Sequence, residues 1–494
     1  MSLSRGAIAA GHPLTARAGV EVLRAGGNAV DAALAAVLAS CVTEPLLTGL
    51  GAGGYLLVVP ASGPAVLVDF FVEVPGRGAD PADRGELAAV EVSFDDAIQL
   101  FHIGPAAIGI PGVPAGVCAA AERFARLPLG DLAASAIALA RDGVVVNDQQ
   151  AYVFRILGAI ATSTPEARRV YAPDGRIPRA GDTLRQSDLA QSLERLAVEG
   201  AAPFYRGDVA AAICEWLAGR GALLTPEDLA AYQSMERAPV AAGYRGREVL
   251  SNPPPSAGGL LIARALGELE DDPDPPDTGR LLTVMEHAQA ARTPAFLDGL
   301  ARPDFAQRFL ASRLGSTTHI SVIDADGMAC AVTCSNGEGS GIVVPGTGVH
   351  LNNMLGEQDL NPLGFHRHPV GRRLPSMMAP TVVRGPEGPP ELALGSGGSN
   401  RIRSAVLQTI VNVVDRGLAL DAAVCAPRVH LEDGVAYLEP GAAPPAAGEP
   451  GAESPVRFRA PNLFFGGVHA VRREPGGRLT GAGDPRRGGW AEVA

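Results

Sequence analysis

Near residue 316 the sequence changes character, and that change limits the architectures open to the chain. From about 113 to 310 it is mostly helical, with Ala- and Leu-rich stretches at 115–126, 130–142, 186–199 and 207–220 that repeat apolar residues at helical spacing. A Pro-rich turn, Pro253 to Pro255, precedes a further helix after Gly258. Beyond 316 come strands, Gly turns and one or two helices. Upstream, residues 15–25 and 29–41 read as two helices split by Gly26-Gly27-Asn28, with glycine supplying a C-cap. A Gly-rich turn, Gly49 to Gly54, leads into strands at Tyr55–Val59 and near Ala65–Phe71. Strand pairs on both sides of a long helical middle predict an α/β layered sandwich. The acidic segment Glu268–Asp277 and the Pro/Ala/Gly-rich stretch Glu439–Pro455 read as solvated loops.

Composition removes several chemistries. All 41 basic residues of the 494 are arginine. A P-loop lysine, a pyridoxal Schiff base and a Ser–Lys dyad are therefore excluded, since each needs an ammonium group. A net charge of −12 without a basic block argues against a nucleic-acid partner. The six cysteines form no C-x-x-C pair and read as free thiols. No basic n-region precedes an apolar run at the N-terminus, and the stretch Ala29–Val42 is too short to span a bilayer. The expectation is a soluble, cytoplasmic chain without a membrane anchor.

The segment Thr317–Ser335 reads as a β-hairpin, with Asp326-Gly327 marking the turn. A loop of Ala325-Asp326-Gly327, with Gly in the left-handed position of a bulge, sets Asp324 opposite Met328. Counting back along both arms puts Thr317 opposite Ser335, on one face. A loop one residue shorter or longer would turn Ser335 away. On spacing alone, a Thr–Ser pair across a hairpin is structural far more often than catalytic.

The run Ser316-Thr317-Thr318-His319-Ile320-Ser321-Val322, followed by Asp326-Gly327, resembles the processing site of the γ-glutamyltranspeptidase family. Further blocks extend the resemblance over almost the whole chain: Ala25-Gly-Gly-Asn-Ala-Val-Asp-Ala-Ala33, Pro111-Gly-Val-Pro, Pro254-Pro-Ser-Ala-Gly-Gly259, Pro345-Gly-Thr-Gly-Val-His-Leu-Asn-Asn353, Gly395-Ser-Gly-Gly398 and Gly483-Asp-Pro-Arg-Arg487. The resemblance implies a four-layer αββα N-terminal-nucleophile fold. It also implies a precursor that cuts itself between Ser316 and Thr317 into a large chain, 1–316, and a small chain, 317–494, which stay together as a heterodimer. Thr317 would supply both nucleophile and base, because an α-amine with a pKa of about 7.7–8.0 accepts a proton far more readily near neutrality than a lysine at about 10.4. Ser335 would take the family's second hydroxyl position, and the N–H groups of Gly397 and Gly398 the oxyanion hole. No metal or organic cofactor is implied.

The pocket departs from the family pattern. Phe71, in Asp69-Phe70-Phe71-Val72-Glu73, stands where an arginine that grips the substrate α-carboxylate is expected. Glu357 falls on the acidic position that meets the substrate ammonium, while Met354 replaces a polar contact. Ser376 beside Met377 is what remains of a Ser-Ser pair, and Asn336 takes an asparagine role. The short stretch between Glu357 and Ser376 implies a reduced lid. Three hypotheses follow: a γ-glutamyltransferase-like enzyme acting on glutathione or another small γ-glutamyl amide; a glutaryl or cephalosporin-type acylase; and an unprocessed, inactive binding or scaffold protein.

Other motifs carry less. Gly49-Leu-Gly-Ala-Gly-Gly54 precedes a strand, the reverse of the dinucleotide-binding context. His366 and His368 lack a third ligand at metal spacing. His319 suggests a packing or positioning role, since the amine already provides the base, and Cys334 points to the face opposite Ser335.

Overall fold

A computed structural model describes residues 4–93, 98–290, 318–361, 364–386 and 388–494. Two antiparallel sheets form its centre. The strands, in chain order, are β1 (Gly6–Ala10), β2 (Gly53–Val59), β3 (Val66–Phe70), β4 (Met235–Arg237), β5 (Val240–Tyr244), β6 (Arg247–Ser251), β7 (Thr318–Asp324), β8 (Ala329–Ser335), β9 (Thr381–Arg384), β10 (Pro390–Gly397), β11 (Gly467–Arg473), β12 (Leu479–Gly483) and β13 (Trp490–Val493). The first sheet runs β13-β1-β7-β8-β2-β3-β4 and the second β12-β11-β10-β9-β6-β5. They stack face to face, with β7 and β8 packed on β10 and β7 also on β11.

Helices cover both outer faces. On the first sheet lie α1 (Pro13–Arg24) and α2 (Ala29–Thr43); on the second lie α3 (Gly258–Leu269) and α4 (Arg401–Val414). The result is the αββα layering that the family resemblance implied. Helix α2 explains itself from its sequence: every one of its 15 residues is buried, and it is Ala-rich on all sides rather than amphipathic. Asn28 caps its N-terminus and Asp31 closes the reciprocal capping box. Asp31 also accepts the backbone N–H groups of Arg126 and Leu127, which ties the next helical layer down.

Both arms of the β7–β8 hairpin are buried throughout, because helices cover one face and the second sheet covers the other. Their near-continuous β-branched and small apolar composition is that of a doubly covered sheet. Even-numbered Ile320, Val322, Cys330, Val332 and Cys334 join the helix-side core; Ile323, Ala329 and Ala331 face the second sheet.

The expected helices 115–126, 130–142, 186–199 and 207–220 are found at Val113–Phe124, Leu129–Asp142, Ser187–Glu199 and Asp208–Leu217. The mostly helical reading of 113–310 fails at 235–251, which supplies β4, β5 and β6. These strands are short and partly exposed, so their apolar periodicity is weak. The available signal was the Arg245-Gly246 turn, where both residues have positive φ, as a two-residue hairpin turn demands. Cys425 is exposed, unlike buried Cys41, Cys330 and Cys334. Among the described residues no helix is long and apolar enough to cross a membrane.

Candidate active site

The hairpin register is the one that the turn chemistry predicts. Thr318 pairs with Cys334, His319 with Thr333 and Ile323 with Ala329. Gly327, at φ +90°, donates its N–H to Asp324 O at 3.1 Å, and Asp324 N donates to Met328 O at 3.0 Å. Ser316 and Thr317 lie outside the described residues. Ser335, the residue after Cys334 at the end of β8, pairs with Gly53 of β2.

Ser335 is fully buried, and its Oγ accepts the N–H of Gly337 at 2.8 Å. On the same face, His319 places Nδ1 2.8 Å from Thr333 Oγ1 and Nε2 2.8 Å from Ser321 Oγ. Burial, with His469 nearby, holds this imidazole well below its ordinary pKa. Neutral, with both ring nitrogens engaged by hydroxyls, it suits the positioning role. Cys334 lies in the helix-side core, as its parity predicts.

Gly337 has φ +64°, and a Cβ there would run into Asn353 Oδ1 and come within 2.5 Å of Glu357 Oε1. These two oxygens thus converge beside the residue that bonds Ser335. Glu357 and Asn353 are buried, and Asn353 Oδ1 has no hydrogen-bond partner among the described residues. Asn336 anchors its backbone by donating to Leu47 O at 3.0 Å, while its buried side-chain amide is likewise unpartnered among those residues. Asn352, by contrast, is structural: its Nδ2 donates to Gly51 O and Gly109 O.

Gly397 ends β10, paired with Gly467. Gly398 follows at φ +118°, and a Cβ there would lie 2.7 Å from Gly466 Cα and 3.2 Å from Arg487 Nη2. Only glycine fits both the dihedral and the space. Strand β10 crosses the hairpin where Gly395 abuts the His319 ring, two residues before Gly397.

Ser376 is buried, but its Oγ accepts the N–H of Met378 at 3.0 Å, so that hydroxyl already serves its own turn. Phe71 is buried and stacks on Tyr55 with ring centroids 5.4 Å apart. Arg373, which no sequence motif singles out, reaches this segment: it donates to Phe71 O, lies 3.5 Å from Asp69 and 3.6 Å from Glu73, and covers the Tyr232 ring. Its guanidinium is committed to these neighbours. Glu44, also unflagged by sequence, accepts a 2.8 Å hydrogen bond from Thr318 Oγ1. His368 spends Nε2 on Leu360 O, and among the described residues no three His, Cys, Asp or Glu side chains group as a metal site.

With this geometry in place, comparison with known proteins is decisive. A family profile described as Gamma-glutamyltranspeptidase matches residues 15–312 and 301–494. This chain belongs to the γ-glutamyltranspeptidase family. It is 33% identical to the Acylase ACY 1 proenzyme of Pseudomonas sp. (strain V22), over 97% of this chain and 92% of that protein. It is 32% identical to the Glutathione hydrolase proenzyme of Escherichia coli (strain K12), over 98% of this chain and 90% of that one. Its fold matches the crystal structure of cephalosporin acylase from Bacillus halodurans with a TM-score of 0.83 at 25% identity, covering 99% of this chain and 96% of the other. The chain is thus an enzyme of the N-terminal-nucleophile hydrolase class, with both hydrolase and acylase relatives.

Proposed function

We propose that the chain is a self-processing γ-glutamyl amidohydrolase or transferase, with glutathione-like donors. The observation that carries the donor class is the convergence of Glu357 and Asn353 at Gly337, beside Ser335. A carboxylate with an adjacent amide oxygen suits an α-ammonium group; a glutaryl chain would set a methylene against the same buried carboxylate, at a cost in desolvation.

In this reading Thr317 Oγ attacks the carbonyl of Ser316 and the Ser316–Thr317 amide becomes an ester. Water hydrolyses the ester, leaving chains 1–316 and 317–494 and a free Thr317 amine. That amine takes the proton from Thr317 Oγ as the hydroxyl attacks the substrate carbonyl. The tetrahedral oxyanion is held by the N–H groups of Gly397 and Gly398. Collapse breaks the C–N bond and releases the amine, which carries the transferred proton away. Water or an acceptor amine then takes the acyl group from Thr317. Ser335, across the hairpin, orients the nucleophile, while Asn336, Glu357 and Ser376 line the acyl side.

Denaturing electrophoresis tests the processing step. Wild-type protein should give two fragments meeting at Ser316/Thr317, and Thr317→Ala a single 50.6 kDa species; cleavage of that variant at the same bond would refute Thr317 as nucleophile. The donor class is tested by turnover of a γ-glutamyl anilide against its glutaryl analogue. The γ-glutamyl compound should be preferred, and Glu357→Gln should cut that preference by about tenfold or more, the scale of one lost charge-assisted contact.

The acylase reading has its own support: Phe71 supplies no guanidinium, and Arg373 is occupied. Faster glutaryl cleavage by the wild type would establish it instead.

A further inference from the structure

Helix α2 ends on Glu44, its C-cap, which donates its N–H to Ser40 O at 2.9 Å. A carboxylate is badly placed there. It stands at the negative end of the helix dipole, it is buried, and its hydrogen-bond partners are hydroxyls rather than guanidinium groups. Residues that break such rules at a cost in stability gather at functional sites.

One carboxyl oxygen accepts Thr318 Oγ1 at 2.8 Å and the other accepts Thr15 Oγ1 at 3.3 Å; Thr15 Oγ1 in turn lies 2.7 Å from Thr43 Oγ1. A Cβ on Gly11 would run into the first oxygen and lie 3.2 Å from Thr318 Oγ1, so glycine is what lets the backbone close over this bond. Thr318 depends on that grip. Strand β1 pairs with β7 from Ile320 to Asp324, so at Thr318 the ladder continues on the β8 side alone, to Cys334. Consecutive Cα atoms stand about 3.8 Å apart across a planar peptide, so whatever anchors Thr318 also anchors Thr317, the next residue toward the processing bond.

We infer that Glu44 is a positioning residue of the self-processing step: its ionised carboxylate, acting through the Thr318 hydroxyl, fixes the start of β7 so that Thr317 Oγ can reach the Ser316 carbonyl, and the neutral carboxyl fixes it less firmly. The inference rests on the proposed cleavage before Thr317. Burial raises Glu44 to about 7. The other titratable groups around it keep one form near that pH. Arg487, pushed down to about 10 by burial and the neighbouring Arg401, stays cationic; Cys41, raised to about 12 by burial, stays a thiol; His12, next to Gly11 in the chain and lowered to about 4 by burial, stays neutral. In the precursor the Thr317 nitrogen is still an amide, so the later α-amine does not titrate in this step.

The experiment follows the full-length precursor, pulse-labelled by cell-free translation and exchanged into buffers between pH 6 and pH 8, as denaturing electrophoresis resolves it into two chains. Wild type and Glu44→Gln should convert within about twofold of each other at pH 6. At pH 8 the wild type should be about tenfold faster, the factor by which a charge-assisted bond outweighs a neutral one. The ratio of the two rates is what is read, so pH effects common to both chains cancel. Thr318→Ser, which keeps the hydroxyl, should retain the rise of rate with pH, and Thr318→Val should lose it. Equal rates for wild type and Glu44→Gln at pH 8, a deficit of the same size at both pH values, or a Thr318→Val chain that keeps the rise would overturn the inference with cleavage before Thr317 intact. A wild-type chain that stays whole at every pH, or a cut that Thr317→Ala does not stop, would defeat the processing reading and the inference with it.

Discussion

Glu44 shows how one residue can work against the fold that holds it. Its carboxyl is 1% exposed, accepts Thr318 Oγ1 at 2.8 Å and Thr15 Oγ1 at 3.3 Å, and is raised to about 7 by burial, with those hydrogen bonds and Arg487 as partial offsets. Between the ordinary carboxyl range and pH 7 the folded state binds more protons than the unfolded chain. Stability from this group is therefore fully present below about pH 4.5 and is lost as pH rises to 7. At about 1.4 kcal/mol per unit the loss is on the order of 3 kcal/mol. Glu44→Gln keeps an acceptor for Thr318 and removes the ionisable group. It should raise the urea midpoint at pH 8 and change it little at pH 4.5; a loss at both would show that the carboxylate itself is needed.

At the scale of elements, the crossing of β10 over β7 is the contact on which the proposed centre depends. Gly395 leaves room for the His319 ring, and that ring bonds Thr333 on one side and Ser321 on the other. Gly395→Ala should push the imidazole from both partners and cost about 2–4 kcal/mol, from overpacking plus unsatisfied buried donors. Thermal unfolding measures it, and an unchanged midpoint would mean that the two sheets part easily here. Because Gly397 follows two residues later on the same strand, activity should fall further than stability alone accounts for.

For the whole molecule, the two sheets interleave segments from either side of residue 317. Strand β1 lies between β13 and β7, and β6 lies beside β9. A cut at that point leaves both products threaded through common sheets. Acid sensitivity is also a property of the whole. Burial lowers His12, His350, His430 and His469 to about 4 in separate parts of the fold. In the unfolded chain they titrate near 6.5, so unfolding takes up protons between those values. Their stabilising contribution is complete above pH 6.5 and disappears as pH falls toward 4, outweighing the opposite trend of Glu44. Calorimetry at pH 5.5 in buffers of different ionisation heat should find net proton uptake on unfolding; no exchange or net release would contradict this.

Local rules were enough for much of this. The Asp326-Gly327 turn sets the register, and period-two alternation assigns Ser335 and Cys334 to opposite faces; both depend only on backbone geometry within one hairpin. The capped, uniformly apolar α2 follows from its own residues in the same way. Strands β4 to β6 were not legible, because a short half-exposed strand is stabilised mainly by its neighbours in the sheet. Nor were Arg373, Glu44 and Arg401, each of which meets a segment remote in the chain: Phe71, Thr318 and Phe464. Backbone sterics act between near neighbours and can be read along the chain, whereas the partners of a buried charge are chosen only when distant segments are packed against it.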